Sequence, residues 1–333
     1  MSILFVDDDK AKIGISGNRL RVSYADGLNK EIPMELIDNV GLLGNPQMTT
    51  QAIQSCLQRG IPVTFFSKGG KYFGRLLSTG HVNTERQRLQ CSLYETPFAL
   101  DLAKRIISAK IKNQIVVLQR YERSKGITDQ PYLQAMESCR QHLDNCSTVE
   151  EVMGHEGRAA REYFLGLAKT IEEEFIFHGR SRRPPLDEFN SLLSLGYSVL
   201  LNVLYNAIEV KGLNPYFGFI HKDREKHPTL ASDLMEAWRP VIVDSLVMSM
   251  INGHEIHKDD FYIDQENPGC YLTKSGLKVF LAKLENKLQT KVKYLRTVSY
   301  AVSFRQGIYL QIDNLLNAME NEDAAVFQPI EIR

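Results

Sequence analysis

The apolar positions along the chain change period once, near residue 95. Upstream they form short runs split by turn residues: ILFV, AKIGIS, RLRVSY and KEIPM, with Gly17-Asn18 and Ala25-Asp26-Gly27 between them. Such runs predict short strands joined as a meander of hairpins. One helical stretch interrupts them: Thr49 or Thr50 can cap a helix that ends near Gly60, followed by IPVTFFS, a KGG turn and KYFGRL. Downstream, FALDLAKRIISAKIKNQIVVLQRYERSK has apolar residues at spacings of three and four, with cations on the remaining face. The segment STVEEVMGHEGRAAREYFLGLAKTIEEEF opens with Thr148 three residues before Glu151, a capping-box spacing. It predicts a helix reaching Phe175, with Gly154 and Gly157 as candidate breaks. FNSLLSLGYSVLLNVLYNAIEV is apolar on nearly every side and predicts a central bundle helix. The expected fold class is α+β: a small β-rich N-terminal domain over 1–85, a linker over 86–95, a larger all-helical domain over 96–320 and a tail over 321–333.

Composition narrows the class. A chain of 333 residues is long enough for two cores. Its 40 basic and 40 acidic side chains cancel, so any anion-binding surface must come from local clustering. The five cysteines are irregularly spaced without a CxxC, which argues for reduced, buried thiols and against a disulfide framework or a thiolate zinc site. The opening MSILFVDDDK is too short for a signal core, and no stretch reaches the roughly 18 apolar residues of a membrane span. The expectation is a cytoplasmic protein without a membrane partner.

Candidate chemistry is sparse. Ala160, Tyr163, Phe164 and Leu167 form an inward stripe that, extended back by four, begins at Glu156. A carboxylate there must be protonated, paired or metal-bound, unless it sits wet in a helix's first turn. His221 follows a Pro and Gly loop and reads equally as a hydrogen-bonded surface histidine. Asp233 and Glu236 share a helix face at a spacing of three, and Pro240 should tighten or kink the end of that helix. Oxygen ligands with one imidazole suit Mg²⁺ or Mn²⁺, and hence phosphoryl transfer. Lys104, Arg105, Lys110, Lys112, Arg120 and Arg123 along one helix, and Arg180, Arg182, Arg183, Lys222, Arg224 and Arg239 elsewhere, offer cations that could track a nucleic-acid backbone or simply solvate a surface. Asp7 to Asp9 read as a turn, and SKGGKYFG lacks the ending of a phosphate loop and reads as a hairpin.

The ordered set MTTQAIQSCLQRGIPVTFFSKGGKYFGRL, EGRAAREYF, RSRRPPLDEFNSLLSLGYSVL, GLNPYFGFIH and DLMEAWRP resembles the CRISPR-associated adaptation integrase, the larger of two proteins that insert new spacers into CRISPR arrays. The resemblance runs from the first strands to about residue 320. It implies a metal-dependent DNA endonuclease and integrase joining spacer 3′-hydroxyl ends to the array. It also implies a homodimer that assembles with a small second adaptation protein on branched or double-stranded DNA. The family's metal ligands fall on Glu156, His221 and Glu236, the last being aspartate in some members, with Asp233 as a supporting acid. Arg182, Arg183, Lys222, Arg224 and Arg239 are the expected DNA contacts. The competing expectation is a non-catalytic nucleic-acid-binding scaffold of the same assembly.

Overall fold

Short alternating segments near the N-terminus become strands, and the 3.6-period segments beyond them become helices. The computed structural model describes residues 2–68, 72–80, 82–126, 131–175, 177–182, 184–264 and 268–333. The chain divides into two compact units, Met1–Val82 and Asn83–Arg333.

The first unit contains β1 (Ser2–Val6), β2 (Lys12–Ser16), β3 (Arg19–Ser23), β4 (Asn29–Pro33), β5 (Ile37–Leu43), β6 (Gln47–Met48), α1 (Thr50–Gln58), β7 (Val63–Phe66) and β8 (Tyr72–Leu76). They form two four-stranded sheets, ordered β4-β3-β2-β6 and β1-β5-β7-β8. The expected meander holds only for β2, β3 and β4, whose first turn uses Gly17 at φ 58°. In the second sheet β5 runs parallel to β1, from which the chain reaches it through β2, β3 and β4, and to β7, because α1 carries the chain back across the sheet before β7 begins. Ile13, Leu20 and Val22 from one sheet share a core with Val40, Leu42 and Val63 from the other and with Cys56 of α1. Thr49 caps α1, its hydroxyl accepting the Ala52 N–H at 3.2 Å. Asp8 and Asp9 do form a turn, where Asp8 Oδ1 accepts the Lys10 N–H at 3.0 Å and Asp9 Oδ1 accepts the Asn45 N–H at 2.9 Å. β7 and β8 pair antiparallel, and the two glycines of the expected KGG turn, with the residue at 71, lie outside the described residues.

The second unit contains α2 (Thr84–Ser92), α3 (Pro97–Lys125), α4 (Pro131–His142), α5 (Val149–Ala168), α6 (Glu188–Val210), α7 (Thr229–Arg239) and α8 (Ser245–Asn252). After these come β9 (Phe261–Asp264), β10 (Gly269–Leu272), α9 (Lys274–Gln289), β11 (Lys291–Val292), β12 (Val302–Ser303) and α10 (Phe304–Glu320). α3 packs against α4, α5 and α7, and α6 packs against α7 and α10. By length and composition α6 could cross a bilayer, but Phe189, Leu192, Leu193, Leu200 and Leu204 are buried inside the unit, as expected of a core helix.

Three features depart from the sequence reading. α2 occupies most of the expected linker, started by the Asn83 side chain accepting the Arg86 N–H at 3.1 Å. α5 runs unbroken through Gly154 and Gly157 and stops at Ala168 rather than Phe175. There the Lys169 and Thr170 N–H groups tighten onto the Gly166 and Leu167 carbonyls, while Asn252 takes the Thr170 carbonyl at 3.0 Å. Thr148 does cap α5, but Glu151 reaches back to the Ser147 N–H at 2.7 Å, one residue earlier than a capping box requires. Finally, the expected tail is packed: Phe327, Ile330 and Ile332 are buried.

Candidate active site

Helix α7 has no side-chain N-cap, and the loop before it closes over its first two turns instead. The Leu230 N–H donates to the Pro215 carbonyl at 3.0 Å. Asp233, almost wholly buried, receives the N–H groups of Phe219, Ile220 and His221 at 2.7, 3.0 and 3.1 Å. The same carboxylate lies 2.7 Å from His221 Nδ1. Gly218 permits this wrap, since a Cβ there would stand 2.5 Å from Thr229 Cγ2 and 2.6 Å from Asp233 Oδ2. Burial lowers the His221 pKa, but the hydrogen bond and charge of Asp233, joined by Glu236, outweigh it and raise the value above 6.5. With Nδ1 tied to Asp233, the imidazole turns Nε2 toward Glu236, 3.7 Å from its Oε1.

Glu236 lies one turn beyond Asp233, where α7 packs against α3. Its Oε1 pairs with Arg239 at 3.0 Å and its Oε2 lies 2.5 Å from the Lys110 ammonium. Lys110 also donates to Glu156 Oε1. Lys110, near the middle of α3, therefore bridges Glu156 on α5 and Glu236 on α7. Burial would raise the Glu236 pKa, yet Arg239, Lys110 and His221 together lower it from 4.5 to about 2, so the group is a carboxylate at any physiological pH. For Lys110, burial works against the charge, and Glu236 and Glu156 more than offset it, raising its pKa above 10.5.

Further shells hold these helices in place. The Arg239 guanidinium stacks on the Tyr197 ring at 5.0 Å, and the Tyr197 and Tyr163 hydroxyls donate to Asp244 at 2.5 and 3.0 Å. Asp244 ends a π-helical turn over Pro240–Asp244, the distortion that Pro240 imposes where α7 would otherwise continue. Gln90 of α2 donates to the Asn214 and Phe217 carbonyls at 2.8 and 2.5 Å and accepts the Asn214 N–H at 3.0 Å, fixing the loop that leads to His221. Asn113, one turn past Lys110, donates to the Ala237 and Ile330 carbonyls at 2.9 Å each and accepts the Ile332 N–H at 2.9 Å.

The structure thus brings Glu156, His221, Asp233 and Glu236 together around Lys110 and Arg239. Arg239 is committed to Glu236 and Tyr197 at the base of the site. Arg182, Lys222 and Arg224 are exposed, Lys222 lying 3.3 Å from Glu150, and Arg183 lies outside the described residues. Lys110 departs most from the sequence reading, which placed it among the outward cations of α3 although it is buried. The signal was present, because Lys110 falls on the stripe formed by Ala103, Ile106, Ile107, Gln114 and Val117. Gln90 was missed because its segment reads as a linker, and Asn113 because its partners lie far along the chain.

The donor set fits a hard divalent ion. Lys110 holds the two carboxylates together, an imidazole nitrogen stands 3.7 Å from one of them, and the buried Glu236 Oε2 has the Lys110 ammonium, at 2.5 Å, in the place a cation would take. Among the described residues no three His, Cys, Asp or Glu side chains are closed to metal-binding distance as they stand. Lys110 lies where the two glutamates would close.

Residues 4–286 match the family described as CRISPR associated protein Cas1. The chain belongs to this family. Relatives support the same grouping: the chain is 32% identical over 318 residues to the CRISPR-associated endonuclease Cas1 of Mycobacterium tuberculosis, covering 95% of this chain and 94% of that one. Among solved Cas1-family structures, a chain of a Cas6-RT-Cas1–Cas2 complex superposes with a TM-score of 0.85 at 28% identity, over 100% of this chain and 36% of that longer one. A casposase bound to integration product shares the fold, with a TM-score of 0.88 at 22% identity over 100% of this chain and 95% of that one. The β-rich N-terminal part and the helical remainder are the Cas1 fold.

Proposed function

We propose that this Cas1-family chain is a divalent-metal-dependent DNA endonuclease and integrase, joining 3′-hydroxyl ends of a spacer to a CRISPR array. The observation that carries the reading is the gathering of Glu156, His221 and Glu236 from α5, the α6–α7 loop and α7 around one buried cation, the Lys110 ammonium, which stands 2.5 Å from Glu236 Oε2. These three would hold Mg²⁺ or Mn²⁺, which when bound neutralises charge developing on the phosphate and lowers the pKa of the attacking hydroxyl. Asp233 keeps His221 Nδ1 occupied, so that Nε2 presents its lone pair when the ring is neutral. Arg239 holds the Glu236 carboxylate from its far side and fixes its angle. The exposed Arg182, Lys222 and Arg224 are proposed backbone contacts, and Arg183 is proposed with them from the sequence.

Names of relatives agree with the class of chemistry: the Mycobacterium tuberculosis protein is called an endonuclease, and the casposase was solved with an integration product. A homodimer, and a small partner of the kind named in the Cas1–Cas2 complexes, belong to the same proposal, because two spacer ends require two attacking sites. The test is strand transfer on branched DNA with Mn²⁺, comparing the wild type with folded Glu156→Ala and His221→Ala. Each should lose at least about a hundredfold, the upper end of what altering a metal site's outer hydrogen bonds alone produces. Undiminished transfer in either variant would remove the assignment, and DNA binding without any divalent-ion dependence would favour the scaffold.

A further inference from the structure

Lys110 has no part in the chemistry proposed above, yet it holds the most constrained position in the site. Its ammonium is buried, it emerges from the middle of the long helix α3, and its recorded partners are Glu156 and Glu236, the two carboxylates that would hold the ion. Without that charge, two carboxylates from different helices would face each other in a dry pocket and repel. With it, the pocket is assembled before any metal arrives.

The same arrangement sets a conflict. A divalent ion and a lysine ammonium seek the same carboxylate oxygens, and their mutual repulsion in a poorly screened pocket is many times thermal energy. Glu236 Oε1 stays with Arg239 at 3.0 Å, so the oxygen in dispute is Oε2, which lies 2.5 Å from Lys110. The ammonium also donates to Glu156, the more exposed of the two carboxylates. Lysine's four-carbon stem lets the charge withdraw without moving α3. Resting on the metal-site reading, we propose that Lys110 is the resident counter-cation of the Glu156 and Glu236 pair, holding the site together without metal and yielding its place to the divalent ion. Lys110 is a positioning residue: it holds the ligands in register, and its displacement weakens the apparent metal affinity of the resting protein.

The test reads metal binding and stability in the full chain without DNA, using Mn²⁺ alone as the probe. Mn²⁺ affinity is measured by electron paramagnetic resonance, and melting temperature is recorded in chelator and in Mn²⁺, for wild type, Lys110→Met, Lys110→Arg and His221→Ala. Lys110→Met should bind Mn²⁺ at least about tenfold tighter than wild type, melt lower in chelator and gain more from Mn²⁺. Lys110→Arg should keep the wild-type chelator melting point and the weaker affinity. Where Lys110→Met does not fold, Lys110→Gln, which keeps a donor and loses the charge, should show the same tightening. Wild-type Mn²⁺ binding that depends on His221, together with neutral Lys110 variants that bind no tighter, overturns this inference and leaves the metal site standing. Absence of Mn²⁺ binding, or binding indifferent to His221→Ala, overturns both.

Discussion

Two carboxylates one turn apart on α7 are treated in opposite ways. On the loop side, Asp233 is saturated by three backbone N–H groups and the His221 ring, all from one short segment. Glu236, where α7 meets α3, accepts no backbone N–H and is surrounded instead by charges from three separate stretches of chain, Lys110, His221 and Arg239. A saturated carboxylate has no lone pair left for a ligand and works as a hinge pin for its loop. One held by side-chain cations is stabilised by charge, and charge can be exchanged for another ion. Proximity to a histidine is common to both acids, so it does not separate the support from the ligand; hydrogen-bond saturation does.

The difference can be broken most forcefully at Asp233. Asp233→Ala strands three backbone donors in a buried loop and should cost roughly 3 kcal/mol or more, each unmet donor carrying about 1–3 kcal/mol. Thermal denaturation checks this, and hydrogen exchange should rise first at residues 219–221; an unchanged melting point would show that the loop holds itself. The next effect concerns pH. The Glu236 pKa is lowered on folding, so its contribution to stability is present above pH 4.5 and is lost as pH falls from 4.5 through about 2. Over that window the wild-type melting temperature should fall more steeply than that of Glu236→Gln, and parallel curves would mean that the surrounding cations do not hold the carboxylate. The smallest effect belongs to Gln90→Ala, which removes three bonds from the loop at a distance from His221 and should cost roughly 1–2 kcal/mol. It should speed amide exchange over residues 214–217 while leaving the Glu236 side unchanged.

Much of this site was legible because helical spacing carries it. Glu156 lies two turns before Tyr163 on one face of α5, and Asp233 and Glu236 are one turn apart on α7, so faces could be assigned without coordinates. Resemblance to the Cas1 family supplied the link between α5, the loop and α7, which periodicity cannot supply. The order of strands in the second sheet was hidden for a similar reason: the runs at β1, β5 and β7 look alike, and parallel pairing depends on where α1 sends the chain. Lys110 was misplaced because a lysine among other cations reads as part of a solvated face, although its register on α3 is apolar. Gln90 makes backbone bonds that leave no compositional trace.

Asn113 joins the carbonyl of Ala237, the residue after Glu236, to backbone at Ile330 and Ile332. Asn113 is 217 and 219 residues from Ile330 and Ile332, most of the helical unit, so they meet only late in folding. During synthesis α3, α5 and α7 all leave the ribosome before residue 332 does. A growing chain therefore carries every acid of the pocket while still lacking the brace that steadies the Glu236 turn. Production of the protein and completion of its reactive pocket are separated in time by the fold itself.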